Sequence, residues 1–260
     1  MKIYVTGASG FIGSALTKAL SAAGHTVAPG MGSCDVVVHL AAIAHRRASR
    51  EEIERVNVGL ARQTGQAAAA AGVPFVFLSS IKVHGEVSAA PFTENSPFAP
   101  QDVYGESKVR AEDALRAVPG LRLAVLRPPL VYGPGVKANF LALMKAIARG
   151  WPLPLASVEN RRSQIYVGNL VDVVLKCLNR EGTYLVSDGE AQSTPQLCRG
   201  IGEALERPAR LFAFPPSLLP GKLTQSLEVD DSAIRRALGW QPRFTPQEGL
   251  RATARWYQGR

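Results

Sequence analysis

The chain has 260 residues, 46% of them hydrophobic, which suits one large domain, or one domain with a smaller companion, around an ordinary core. Charged residues make up 20%, and the 24 Gly and 18 Pro residues follow no repeat, so a disordered or collagen-like chain is excluded. The net charge is +9, but the basic residues are scattered in pairs, so we expect no nucleic-acid partner. These pairs are Arg46-Arg47, Arg161-Arg162 and Arg235-Arg236.

Apolar stretches and cysteines bear on where the protein works. The longest apolar runs are shorter than the ~20 residues needed to cross a bilayer, and the N-terminus does not resemble a signal peptide. Cys34, Cys177 and Cys198 are odd in number, widely spaced and without CxxC or histidine partners, which indicates reduced thiols and no metal site. We therefore expect a cytoplasmic protein that does not contact a membrane.

Short apolar strands alternate with amphipathic helices along most of the chain. We predict strands at residues 2–6, 25–28, 36–40, 75–79, 121–126 and 182–187, and helices at 11–23, 51–71, 102–117 and 138–149. This alternation predicts an α/β fold with a doubly wound parallel sheet of the Rossmann type. After Gly189, short helices at 195–205, 231–238 and 246–257 alternate with Pro-rich loops, which predicts a smaller C-terminal lobe.

The same pattern suggests a division into domains. We expect residues 1–135 to form a dinucleotide-binding domain to which residues 163–187 return. Residues 136–162 and 188–260 would then form a smaller substrate-binding lobe.

A glycine-rich turn follows the first predicted strand and opens the first helix. Gly7 permits the tight turn, Gly10 lets the backbone approach phosphate groups, and Gly13 lets the helix pack closely on the strand. Free N–H groups and a partial positive charge at the helix start favour an anion. The turn therefore predicts a site for the pyrophosphate of a dinucleotide.

The segment that normally holds the adenosine of such a cofactor is short. The second strand has no carboxylate at its end, and only residues 29–35 join it to the next strand, fewer than a helical crossover needs. No Arg is present there to bind a 2′-phosphate either. The choice between NAD and NADP stays open at this point.

A second group of residues indicates proton transfer. Tyr104 and Lys108 stand four residues apart on a predicted helix and share a face, so the lysine ammonium would lower the pKa of the tyrosine from ~10. Ser79 and Ser80 follow a strand, at the edge of a parallel sheet where ligands bind. One serine would cap the strand end while the other orients a substrate oxygen.

The ordered set of motifs resembles the extended short-chain dehydrogenase/reductase superfamily, in its NAD-dependent epimerase/dehydratase branch. The motifs that carry the resemblance are the glycine turn, His39-Leu-Ala-Ala42, Val56-Asn57-Val58, the 79–85 segment, the Tyr104/Lys108 pair, Arg127-Pro-Pro-Leu-Val-Tyr-Gly-Pro134 and Ala237-Leu-Gly-Trp240. The resemblance implies that Ser80, Tyr104 and Lys108 are catalytic. It implies a cofactor site at Gly7, Ser9, Gly10, Phe11, Ile12, Gly13, Leu40, Ala41, Ala42, Asn57, Tyr104, Lys108 and Pro128.

Family members that act on nucleotide sugars have residues corresponding to Asn139 and Arg162, which together with Ser80 and Tyr104 would bind the substrate. The alternatives are a helix cap for Asn139 and an exposed surface charge for Arg162. His84 and Leu130 differ from the residues usual at these positions in the family. The family's late Arg is also missing from residues 224–229. These differences leave the sugar open.

The resemblance implies an NAD(P)-dependent enzyme that moves a hydride at a ring carbinol of a nucleoside diphosphate sugar, and we expect this to be C4 of a UDP-hexose or UDP-N-acetylhexosamine derivative. One alternative is an NAD(P)H-dependent 4-ketoreductase of a UDP-4-keto-6-deoxy sugar in surface-polysaccharide synthesis. The alternative of another class is a non-catalytic cofactor sensor or scaffold. A homodimer through helices 51–71 and 102–117 is also implied.

Overall fold

The computed structural model describes residues 1–44 and 48–259, so the Arg46-Arg47 pair lies outside the described residues. Within those ranges the strands are β1 (Lys2–Thr6), β2 (Thr26–Val27), β3 (Val36–His39), β4 (Phe75–Leu78), β5 (Leu123–Arg127), β6 (Leu130–Tyr132), β7 (Gln164–Tyr166) and β8 (Gly182–Leu185). Six of them form a parallel sheet in the order β2-β1-β3-β4-β5-β8, and β6 pairs with β7 in a small second sheet.

Helices cover both faces of the large sheet. On one face α1 (Phe11–Ala22) and α6 (Val167–Lys176) pack over Ile3, Val36 and Val38. On the other face lie α2 (Arg50–Ile53), a π turn (Glu54–Gly59), α3 (Leu60–Ala70) and α4 (Val103–Arg116). The residues of each strand point alternately to the two faces, so both faces are apolar and both are covered. The predicted doubly wound parallel sheet of the Rossmann type is confirmed.

A second apolar cluster lies beyond the carboxyl ends of the strands. It is built mainly from α5 (Ala138–Ala148), α7 (Thr194–Ala204) and α10 (Pro246–Gln258), with Tyr132, Phe140, Met144 and Ile201 buried between them. Two short helices, α8 (Gly221–Thr224) and α9 (Ser232–Leu238), complete the C-terminal part. Strands β6 and β7 and helices α6 and α8 are absent from the sequence prediction.

The short connection from β2 to β3 determines which strand forms one edge of the large sheet. Ala28 N donates to Ile3 O at 2.8 Å, and Asp35 N donates to Lys2 O at 2.7 Å, so the chain crosses over β1 between these points. The crossing contains only a 3-10 turn (Met31–Ser33), and Met31 and Cys34 pack with the apolar cluster on the α3 face. As a result, β2 is the outermost strand.

Among the described residues, the helices are too short or too polar for any of them to cross a bilayer.

Candidate active site

The glycine turn between β1 and α1 is shaped for contact between backbone and phosphate. Gly7 has a φ of +72°, and a Cβ on Gly13 would overlap Gly7 O. Gly10 begins α1 without a side-chain cap, and the first turn has no acidic residue. The amide N–H groups at the helix start are therefore available to an anion. The predicted residues Ser9, Phe11 and Ile12 lie in this turn, so the turn fits the pyrophosphate of a dinucleotide.

The loop after β3 forms the next wall of the site. Ala41 N donates to Thr6 Oγ1 at 3.2 Å, which holds the predicted Leu40–Ala42 segment beside the glycine turn. Asn57 is buried, accepts from Ile43 N at 2.7 Å, and donates to Ser107 Oγ at 2.9 Å. The structure therefore gives Asn57 a positioning role, because its amide joins this loop to the residue before Lys108.

Ser80, Tyr104 and Lys108 come together beyond the carboxyl end of β4. Ser80 begins a 3-10 turn (Ile81–Val83), and Ile81 N donates to the carbonyl oxygen of the predicted Pro128. Tyr104 lies in the first turn of α4. Lys108 is buried one turn later, with Nζ 2.7 Å from Leu78 O and 5.8 Å from the centre of the Tyr104 ring. A substrate oxygen beside Ser80 and Tyr104 would be within reach of hydrogen bonds from two hydroxyl groups.

The protonation of this group differs from the sequence prediction. Burial, helped by the charge of Asp102 and opposed by the hydrogen bond with Ser80, raises the pKa of Tyr104 to about 12. Burial also lowers the pKa of Lys108 to about 7, against the attraction of Glu112. The predicted lowering of the Tyr104 pKa is wrong for this state, because desolvation disfavours both charged forms. Tyr104 is held as a neutral phenol, which is the form that donates a proton.

An ion pair joins the Ser80 turn to the start of α4. Lys82 Nζ lies 2.5 Å from Asp102 Oδ2, while Asp102 Oδ1 accepts from Gly105 N at 2.7 Å. A Cβ on Gly105 would stand 2.8 Å from Lys82 O, so the helix approaches the turn closely. These contacts fix the position of Ser80 relative to Tyr104, and Lys82 neutralises the charge of Asp102 beside the phenol.

This ion pair predicts two opposite shifts in pH dependence. Lys82→Met leaves the charge of Asp102 unbalanced, which raises the Tyr104 pKa. The rise of the oxidation rate with pH, which follows ionisation of Tyr104 to phenolate, then moves to higher pH by about 1 unit; we call this rise the limb. Asp102→Asn retains a capping side chain without the charge, and moves the same limb to lower pH. The measurement is kcat/KM in the oxidising direction at a fixed pH below the limb, where a shift of about 1 unit changes the phenolate fraction, and with it the rate, about tenfold. Arg110→Met, which removes an exposed ion pair with Glu54, is the control and should leave the limb in place. Shifts of the two variants in the same direction would contradict the assignment.

A buried ionic network lies directly behind the two serines. Glu112 is fully buried and accepts from Ser79 Oγ at 2.5 Å and from Arg127 Nε and Nη2 at 2.9 and 2.6 Å. Burial raises the Glu112 pKa, but the hydrogen bonds and charge of Arg127, with further hydrogen bonds from Ser79 and from Arg116 Nη2 at 2.6 Å, outweigh it and hold the pKa below its usual value. Arg127 Nη1 lies 2.9 Å from His84 Nε2. Because a guanidinium only donates, His84 is the neutral tautomer that donates from Nδ1 to Pro97 O.

The predicted substrate residues are placed differently from one another. Arg162 is half-buried, and its Nη1 donates to Gln225 O at 2.8 Å. Burial lowers the Arg162 pKa, and the charge of Glu86 opposes this. Asn139 is exposed as the second residue of α5, and Lys137 occupies the cap position, so the helix-cap alternative is wrong.

The cationic partners of Glu86 were missed by sequence reasoning. Lys82 Nζ lies 2.7 Å and Lys222 Nζ 2.8 Å from Glu86 carboxylate oxygens. Lys222 belongs to α8, so this ion pair joins the C-terminal part of the chain to the segment that follows Ser80. Lys222 lies two residues before the stretch in which the usual family arginine is missing, which was the available signal.

Comparison with known proteins places this geometry in context. The profile described as "NAD dependent epimerase/dehydratase family" matches residues 3–31 and 30–186. UDP-glucose 4-epimerase of Vibrio cholerae is 35% identical over 308 aligned positions, gaps included, covering 97% of this chain and 94% of the relative. The two matches meet at residues 30–31, within the short connection between β2 and β3.

Two solved structures are similar over nearly the whole chain. RMD from Pseudomonas aeruginosa, complexed with NADPH, has a TM-score of 0.85 and 23% identity, covering 99% of this chain and 97% of its own. WbmG of Bordetella bronchiseptica, in complex with NAD and UDP, has a TM-score of 0.82 and 20% identity, covering 99% and 94%. At these identities the likeness shows the fold.

Proposed function

Because the chain belongs to the NAD dependent epimerase/dehydratase family, we propose that it is an NAD(P)-dependent epimerase of a nucleoside diphosphate sugar that acts at a ring carbinol. The position is C4 of a UDP-hexose or UDP-N-acetylhexosamine. The observation that carries this proposal is the placement of Ser80, Tyr104 and Lys108 at the carboxyl edge of the sheet, beside a glycine turn that fits a pyrophosphate.

Each residue has a role that follows from its position. A bound nicotinamide would accept a hydride from the carbinol carbon and return it to the other face. Tyr104 takes the hydroxyl proton during oxidation and returns it during reduction, while the Ser80 hydroxyl orients the same oxygen. Lys108 is fixed by Leu78 O, which leaves its other N–H groups for a cofactor ribose.

The test is conversion of UDP-glucose or UDP-N-acetylglucosamine into its C4 epimer, followed by proton NMR with NAD present. Formation of the epimer supports the proposal. Failure with both sugars, in protein that binds NAD, would reject this substrate class.

Two other functions are alternatives to epimerisation: a non-catalytic sensor or scaffold, and net reduction of a keto sugar. A sensor or scaffold would need none of Ser80, Tyr104 and Lys108, whereas the structure keeps all three in one place. Net reduction of a keto sugar uses the same residues, and the shortened β2–β3 connection favours it as an additional activity.

We expect Arg162→Ala to weaken binding of both UDP and the sugar nucleotide by roughly ten- to a hundredfold, because a charge-assisted hydrogen bond contributes ~1.5–3 kcal/mol. Isothermal titration calorimetry with UDP measures it. Arg161→Ala is the matched control, since Arg161 is exposed and paired with Glu228 at 2.8 Å. Equal UDP affinity in the two variants would contradict a diphosphate contact at Arg162.

Three further assignments are proposed on the family resemblance. The nucleotide-binding domain comprises residues 1–135 and 163–187, and the remainder forms the substrate lobe. Asn139, exposed at the start of α5, contacts the substrate when it is bound. The protein forms a homodimer through the outer faces of α3 and α4, where Leu60 is 36% exposed.

A further inference from the structure

Within residues 1–44 and 48–259, the edge of the sheet beside the glycine turn lacks a complete cofactor wall. In the usual doubly wound order a third strand lies outside the second, and a carboxylate after the second strand binds the adenosine ribose. Here β2 is outermost, and the chain crosses directly from Ala28 over β1 to β3. The side of the site that would enclose an adenosine is therefore open.

The residues of this crossing offer little to a nucleoside. Residues 28–34 contain no charged side chain, and Gly30, three residues beyond the end of β2, has open space where a Cβ would stand. Met31 and Cys34 turn inward onto the apolar cluster. The exposed Ser33 is the only residue of this segment with a hydroxyl, and the segment has neither a carboxylate for the ribose hydroxyls nor a cation for a 2′-phosphate.

The other parts of the dinucleotide site are intact. The uncapped start of α1 is available to the pyrophosphate, and Lys108 and the Leu40–Ala42 segment stand where the nicotinamide end would lie. Contacts on only part of the dinucleotide lower its affinity and shorten its residence time.

We propose that the cofactor of this enzyme is an exchangeable co-substrate held at its pyrophosphate and nicotinamide ends, so that the enzyme also catalyses net reduction of a keto sugar. The proposal rests on the proposed function for the sugar class. An epimerase returns the hydride to the same substrate and needs no release of cofactor. A cofactor that leaves after each transfer connects the site to reduced nicotinamide in solution.

The additional reaction balances with the groups already described. A hydride passes from the reduced nicotinamide to the carbonyl carbon of the keto sugar, and the Tyr104 hydroxyl proton passes to the carbonyl oxygen. The C=O bond becomes C–O–H, the cofactor leaves oxidised, and Tyr104 regains a proton from water. The neutral phenol, which burial favours by raising the pKa of Tyr104 to about 12, is the form that this step requires.

Binding is the first test, and it does not depend on activity. We expect NADH, NADPH and reduced nicotinamide hypoxanthine dinucleotide to bind within about tenfold of one another, measured by calorimetry. A preference above about a hundredfold among them would overturn the proposal, because it would require a group that reads the adenosine.

A deuterium experiment tests exchange separately. With UDP-glucose, NAD and added 4-deuterated NADH, an exchangeable cofactor delivers deuterium to the sugar ring, which mass spectrometry detects. Epimer formation without deuterium would overturn the proposal and leave the proposed function intact. If neither epimer nor deuterated sugar forms, the proposed function fails, and with it the net reduction of this sugar.

One variant tests the position of the open wall. Gly30→Asp adds a carboxylate three residues beyond the end of β2, in extended backbone (φ −169°) with no steric obstacle, and Gly30→Asn is its neutral control. We expect the Asp variant to shift the NADH-to-NADPH affinity ratio toward NADH by roughly tenfold or more, and the Asn variant to shift it less. An unchanged ratio in the Asp variant would contradict an adenosine lying beside Gly30.

Discussion

We expect Tyr104→Phe to lower turnover by roughly 10² or more while the protein stays folded and binds cofactor with unchanged affinity, because the change removes only the hydroxyl that transfers the proton. Turnover of the sugar nucleotide and calorimetry with NADH measure the two effects. The aromatic ring, which packs over the Lys108 side chain, is retained in the variant.

The control for this variant is Tyr184→Phe. Tyr184 is half-buried on β8, and its hydroxyl donates to Glu181 O, so losing it should leave turnover close to that of the unchanged protein. Near-normal turnover in Tyr104→Phe, or an equal loss in both variants, would reject Tyr104 as the proton-transfer group.

The second large effect concerns stability. Arg127→Met removes the bidentate partner of the buried Glu112 carboxylate and leaves it only Arg116 Nη2, at 2.6 Å, and Ser79 Oγ. We therefore expect a loss of about 3 kcal/mol, the lower end of the cost of breaking a buried ion pair. Urea unfolding at pH 7 measures the loss. Because the Glu112 pKa is depressed in the folded protein, this stabilisation is present above the unfolded value of ~4.3 and is lost as pH falls through the folded value. The difference between the two proteins should therefore shrink in acid.

Arg122→Met is the matched control, because Arg122 lies beside the other end of the same strand in an exposed ion pair with Glu181. Exposed pairs contribute ~0–1 kcal/mol, so this variant should unfold at nearly the original urea concentration. Similar losses in the two variants would mean that the Arg127–Glu112 pair does not hold the core behind Ser79.

Local sequence patterns were sufficient for the central sheet and for the proposed catalytic group. The glycine turn is contiguous in sequence, and the four-residue spacing of Tyr104 and Lys108 places both on one face wherever the helix forms. The same spacing extends to Glu112, so its burial on that face had a usable signal.

Features that depend on tertiary packing were not predictable in the same way. Arg127 reads as a strand-end charge, and its pairing with Glu112 appears only once α4 lies across β5. The high pKa of Tyr104 likewise depends on burial between elements that are distant in sequence. Helix α6 follows β7 without a break and is rich in valine, which favours strands in isolation, so packing against α1 decides its form.

The short edge strand β2 also limits association between chains. A long exposed edge presents unpaired N–H and C=O groups to which a strand of another molecule can add, the usual start of sheet-mediated aggregation. β2 pairs with β1 over only two residues, and Pro29, just beyond it, has no N–H to donate. The short β2 and its direct connection to β3, which leave the adenosine end of the cofactor site open, thus also leave too few free backbone groups at this edge for a second chain to extend the sheet.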